Sequence, residues 1–151
     1  MYERLVYVSR AAPGIGPRDC YDIIRVAHNR NSTYQLTGGL VFVDGCFVQV
    51  LEGTAWNLRR RFAVIAADPR HRDVTVRQQI ASPELLFADD WMALRGDADI
   101  SDELKAAWSY HPAWPMAERD GQRLADFVQA CCRAQRPARA EVQAQAEAQA
   151  G

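Results

Sequence analysis

Residues 40–51 constrain the fold more than any other stretch of the chain. Leu40-Val-Phe-Val43 and Cys46-Phe-Val-Gln-Val-Leu51 are β-branched and aromatic runs separated only by Asp44-Gly45. A two-residue Asp-Gly loop between such runs specifies a hairpin, because its residues tolerate the positive φ that matches the twist of paired strands. A lone hairpin is marginal in water, so the rest of the chain must supply partners for it. Before it, Arg4-Leu-Val-Tyr-Val-Ser9 reads as a strand broken by Ala12-Pro-Gly-Ile-Gly-Pro17. Pro17 suits the first position of a helix in which Cys20, Ile23, Ile24 and Ala27 recur at helical spacing. That helix is expected to run about three turns, to the polar cluster 28–33.

After the hairpin, Thr54 is placed to cap a second helix whose apolar stripe is Leu58, Phe62 and Ile65, with Asp68-Pro69 ending it. Arg59, Arg60 and Arg61 are expected mostly on its solvated side. Val74–Ile80 alternates like a half-buried strand, Pro83 stops it, and Trp91-Met-Ala-Leu94 is a short fifth strand. The order β-α-β-β-α-β-β predicts an α+β, ferredoxin-like fold with a mostly antiparallel sheet and two helices on one face. Two further helices, over 100–108 and 120–132, are expected to cover the other face. The chain thus divides into 1–96, covering helices over 97–136, and a polar tail over 137–151 whose only apolar side chain larger than alanine is Val142.

Composition excludes several classes of function. Eighteen Lys and Arg against nineteen Asp and Glu give a formal charge of −1, leaving no cationic excess for a phosphate backbone, so direct nucleic-acid binding is not expected. No apolar run approaches the roughly 20 residues that span a bilayer, and the first residues lack a secretory leader's pattern. A cytoplasmic protein is therefore expected. Cys20, Cys46, Cys131 and Cys132 have no metal-ligand spacing and read as reduced packing residues, so no metal is expected.

Alternation along the strands puts polar groups where a core is expected. Tyr7 and Ser9 share a face with Leu5, and Gln49 shares one with Phe47 and Leu51. If these faces meet the helices, three hydrogen-bonding side chains enter the core, at about 1–3 kcal/mol each unless paired. A binding site accounts for them; so do bonds between Tyr7 and Gln49 or to backbone, and the pattern alone does not choose. Asn31, just beyond the first helix, carries an amide suited to the edge of an imide-like ring, or simply ends the helix. Arg70 and His71 suit a phosphate or a helix end equally.

Taken together, Tyr7-Val-Ser9, Asn31, Leu36-Thr-Gly38, Asp44-Gly-Cys-Phe-Val-Gln-Val-Leu-Glu-Gly53, Asp68-Pro-Arg-His71 and Trp91-Met92 resemble the BLUF family, blue-light sensors that use flavin. The resemblance runs over roughly residues 3–96, and its specific parts are Phe47–Gly53 and Asp68–His71. It implies one noncovalent oxidised flavin, FAD in most members with FMN or riboflavin as alternatives, held between the two helices. Ile23 and Ile65 would sandwich the ring, and Asn31 would bond its C4=O/N3 edge. Arg30, Asp68, Arg70 and His71 would hold the pyrimidine side and ribityl chain, and Ser9 would bond Asn31. Tyr7 and Gln49 would carry the photochemistry: Tyr7 gives up an electron and then a proton through Gln49, and recombination leaves Gln49 rotated or tautomerised.

One departure from the family pattern stands near the fifth strand, where Asp90 replaces a frequent tryptophan and Trp91 directly precedes Met92. Alternation then turns Met92 and Leu94 toward the flavin, with Met92 near Gln49, and Trp91 toward the C-terminal helices, where Trp108, Tyr110 and Trp114 form either a patch or ordinary packing; a local bulge is the alternative and would return Trp91 to the pocket. The resemblance is to short members that are not enzymes and signal by association, so a separate partner protein and homo-oligomers are expected. The competing readings are a flavin-independent interaction module on the same scaffold and, more weakly, a small acylphosphatase-type hydrolase. The latter lacks the phosphate-cradling glycine loop.

Overall fold

A computed structural model of the chain describes residues 1–108 and 120–134. The hairpin forms as the sequence dictates: Asp44 and Gly45 both take positive φ, 48° and 74°, and join β2 (Thr37–Val43) to β3 (Cys46–Gly53). Around it stand β1 (Tyr2–Ala11), β4 (His71–Ser82) and β5 (Ala93–Gly96), in a five-stranded sheet of order β4-β1-β3-β2-β5. All neighbours are antiparallel except β2 and β5. Helices α1 (Pro17–Tyr34) and α2 (Ala55–Ala66) are the two crossovers of the ferredoxin-like pattern. Thr54 caps α2 by accepting from the Asn57 amide.

The sheet has a core on each face. Toward α1 and α2, Leu5, Tyr7, Leu40, Phe47 and Leu51 pack with Leu36, Leu58 and Met92. On the opposite face, Val6, Val8, Val41, Val43, Val48 and Val50 meet α4 (Gly121–Ala134) through Leu124, Phe127, Val128, Cys131 and Cys132. Each large apolar side chain fully buried there contributes about 1.5–3 kcal/mol. Burial pushes the Cys131 thiol up to about 12 and Cys132 to about 11, so both remain neutral packing groups. A one-turn 3-10 helix (Asp97–Asp99) and α3 (Asp102–Ala107), capped by Ser101, lead away from β5. Trp108 then packs edge-on against Phe127 at 6.3 Å with Arg123 over its face. Tyr110, Trp114 and the tail expected over 137–151 lie outside the described residues.

Three local expectations need correction. Helix α1 does not stop at the polar cluster but continues to Tyr34, so Asn31 lies in its last turns. The hydroxyls of Ser32 and Thr33 bond back to the Asn29 carbonyl, which lets these residues stay helical until Gln35, at φ 53°, ends the helix. Strand β5 begins at Ala93, so Trp91 and Met92 precede it. The chain turns there, with the Phe87 and Asp90 carbonyls accepting from the Asp90 and Gly38 amides. Strand alternation therefore does not govern Trp91, whose side chain is 37% exposed and joins neither core instead of packing on the C-terminal helices.

The outer face also holds a charged group that the apolar pattern conceals. Glu52, 1% exposed, accepts from Arg4 Nε at 3.3 Å, Thr37 Oγ1 at 3.1 Å and the Leu86 and Phe87 amides at 2.7 and 3.1 Å. It fastens the β4–β5 loop to the sheet. Glu52 follows Val48 and Val50 at the same alternation, and a carboxylate in that series is the signal by which the network is legible.

Candidate functional site

The β1–β3 register sets the site's floor. Leu5 pairs with Leu51, Tyr7 with Gln49 and Ser9 with Phe47, so all six side chains face the helices in two adjacent rows. Leu40 flanks Gln49 on the other side. Above them, α1 and α2 leave a cavity of about 320 Å³ between them. Ile23 on α1 and Ile65 on α2 face it, and Arg30, Asp68, Arg70 and His71 line its wall with Tyr7 and Gln49 at the base.

At the base, the Tyr7 hydroxyl donates to Gln49 Oε1, and Gln49 Nε2 points to Met92 Sδ at 3.4 Å. Both polar side chains are 3–4% exposed, and the chain phenol–amide–thioether leaves neither unpaired. Burial holds the Tyr7 phenol well above the ordinary tyrosine range; the charge of Arg61 opposes this and Asp68 adds to it. The aromatic neighbours of Tyr7 are Phe62, at 5.5 Å between ring centres, and His71, at 6.1 Å.

Ser9, Asn31 and Met92 are buried and are not among the residues that line the cavity. Asn31 Nδ2 donates to the Trp91 carbonyl at 2.9 Å, while its Oδ1 is buried without a partner. The expected Ser9–Asn31 bond is absent: Ser9 Oγ pairs with His71 Nδ1 at 2.7 Å, and His71 Nε2 reaches the Ile65 carbonyl at 2.6 Å. The reason is position along the sheet. Ser9 stands near the end of β1 that meets the start of β4, where Arg10 pairs with Arg72, whereas Asn31 lies over the approach to β5. Alternation gives a residue's face but not its place on that face. Asp68 is gripped by Arg70 through backbone amide and guanidinium, and these bonds hold its carboxyl below the usual carboxylate range.

Arg59 and Arg60 are exposed, in keeping with a mostly solvated triplet, but Arg61 is half-buried, and Arg60 and Arg61 also line the cavity. Arg61 precedes Ile65 by one helical turn, and that i, i+4 spacing is the sequence signal for its position. Tyr34, Phe47, Val26 and Val64 complete wall positions that sequence reasoning did not assign. Among the described residues no cluster of His, Cys, Asp and Glu is arranged to hold a metal, and no helix is long and apolar enough to cross a membrane.

Residues 2–93 match the family model described as sensors of blue-light using FAD. The chain is 36% identical over 87 residues to the photoactivated adenylate cyclase subunit beta of Euglena gracilis, an alignment covering 58% of this chain but 10% of that protein. Dark-state BlrB, a BLUF protein, superposes with a TM-score of 0.72 at 25% identity, covering 85% of this chain and 96% of BlrB. BlsA in its photo-activated state shares the fold, with a TM-score of 0.77 at 22% identity over 87% of this chain and 95% of BlsA. With a match over most of the sheet and both helices that enclose the cavity, the chain belongs to the BLUF family of flavin-using blue-light sensors.

Proposed function

We propose that this protein is a cytoplasmic blue-light photoreceptor that holds one oxidised FAD between α1 and α2 and signals, without catalysis of its own, to a separate partner protein. The observation that carries this reading is the buried series Tyr7–Gln49–Met92 at the base of a cavity between two helices. The residues present fit a flavin. Ile23 and Ile65 offer apolar faces from opposite helices, and the partnerless Asn31 Oδ1 is an acceptor suited to an imide N–H. Asp68, Arg70 and His71 supply polar groups for the ribityl side, with Ser9 orienting His71 and Arg30 at the mouth. Free cysteines at 46, 131 and 132 suit a reducing compartment.

When bound, the flavin supplies blue-light absorption and an excited ring that accepts an electron. Tyr7 would be the donor: its neutral phenol gives up an electron, its acidified hydroxyl then gives up a proton that Gln49 relays toward the flavin, and both return to Tyr7 on recombination, so there is no net redox change. Gln49 is the switch, since an amide exchanges donor for acceptor by turning over. A turned Gln49 presents oxygen to the Met92 thioether, which cannot donate, and the Gln49–Met92 link is lost. Met92 leads directly into β5, where buried Arg95 donates to the Cys132 carbonyl at 2.8 Å in the last turn of α4. This path carries the change from the sensor (1–96) to α4, where a partner or a second copy reads it.

The test is substitution at the switch. Tyr7→Phe and Gln49→Leu keep the yellow colour of bound flavin but lose the light-induced red shift, measured by absorption before and after blue illumination. A full shift in either variant overturns the assigned roles.

A further inference from the structure

The cavity carries a charge imbalance that an uncharged ring leaves unexplained. Arg30, Arg60, Arg61 and Arg70 lie on its wall against a single lining carboxylate, Asp68, in a chain whose formal charge is −1. Asp68 is already engaged, both its oxygens accepting from Arg70. The other three guanidiniums gather toward the mouth, since Arg30 and Arg60 are exposed and Arg61 is half-buried, whereas Tyr7 and Gln49 at the base are buried. Arg60 rests over the ring of Trp56 at 5.8 Å. Arg61 has a buried Nε without a hydrogen-bond partner. Burial first and then the neighbouring charge of Arg30 disfavour its protonated form, against smaller opposing effects of Tyr34, Tyr7 and Asp68. An anion seated beside Arg61 and Arg30 relieves the unpaired donor and the like-charge repulsion together.

We infer that the cavity mouth is a phosphate subsite, in which Arg61 and Arg30 bind the phosphate ester of a flavin nucleotide and select FMN and FAD over riboflavin. The inference rests on the flavin reading above and deepens it. The phosphate is the only part of the ligand with the charge that this rim calls for, and its guanidinium contacts are charge-assisted.

The experiment titrates the full chain, stripped of flavin, with riboflavin, FMN and FAD in the dark and follows flavin fluorescence. The expected result is FMN and FAD binding about tenfold tighter than riboflavin at low salt, with the preference shrinking as salt screens the rim. Arg61→Gln removes most of that ratio and Arg61→Lys restores part of it. Arg59→Gln, which removes the same charge from the same helix at an exposed position off the cavity wall, leaves the ratio intact. Equal affinity for the three flavins, an unchanged ratio in Arg61→Gln, or an equal fall in Arg59→Gln overturns the subsite while the photoreceptor reading stands. Failure of all three flavins to bind overturns that reading and the subsite with it.

Discussion

Tyr7 is one of five tyrosines, and its surroundings separate it from the phenol of a free side chain. It is 3% exposed, bonded to Gln49, and held above the usual tyrosine range by burial. Because the folded-state pKa is raised, its contribution to stability is complete below the ordinary tyrosine value of about 10 and is lost as pH rises from there toward the raised value. Ultraviolet titration of phenolate absorbance should therefore leave Tyr7 silent until the chain unfolds, and Tyr7→Phe should remove no phenolate signal near pH ~10. A Tyr7 signal at that pH in folded protein contradicts the buried environment. Alternation along two strands was enough to bring Tyr7, Ser9 and Gln49 to the helix side. Their partners were less legible. The Ser9–His71 bond depends on where β4 starts against β1, and the role of Arg61 on the tilt of α2 over the sheet, neither of which a single strand or helix pattern contains.

The hairpin, both crossover helices and the strand order follow from local sequence because turn chemistry and apolar period agree at each. Element ends follow less well. Helix α1 outlasts its apolar stripe since Ser32 and Thr33 satisfy their hydroxyls within the helix, and β5 is delayed to Ala93 because Gly38 pairs with the Asp90 carbonyl. Gly38 has little choice of neighbour: a Cβ there would lie 2.0 Å from the Val50 carbonyl oxygen. The loop before β5 hangs on Glu52, and a buried carboxylate bonded to a guanidinium and two amides cannot be removed cheaply. Glu52→Ala strands the Arg4 charge and two loop amides, and should lower stability by about 3–5 kcal/mol in urea denaturation. A loss under about 1 kcal/mol would contradict the role given to this network.

At the scale of the whole molecule, two cores share one sheet: the helix side holds the cavity and the outer side holds α4. Val6 and Val8 pack outward from the same strand that points Tyr7 inward, so the sensor and its cover are one sheet thickness apart. The chain spans about 10% of the length of the cyclase subunit it matches, but nearly all of BlrB. What the family match supplies and the fold alone does not is blue-light sensing with flavin, because a ferredoxin-like sheet hosts many functions. The central claim is therefore tested by one visible absorption spectrum of the purified chain with FAD, taken in the dark and again after blue illumination. The account predicts flavin bands that move to longer wavelength on illumination and return in the dark. A chain that takes up no FAD, or whose bound-flavin spectrum does not move under blue light, contradicts it.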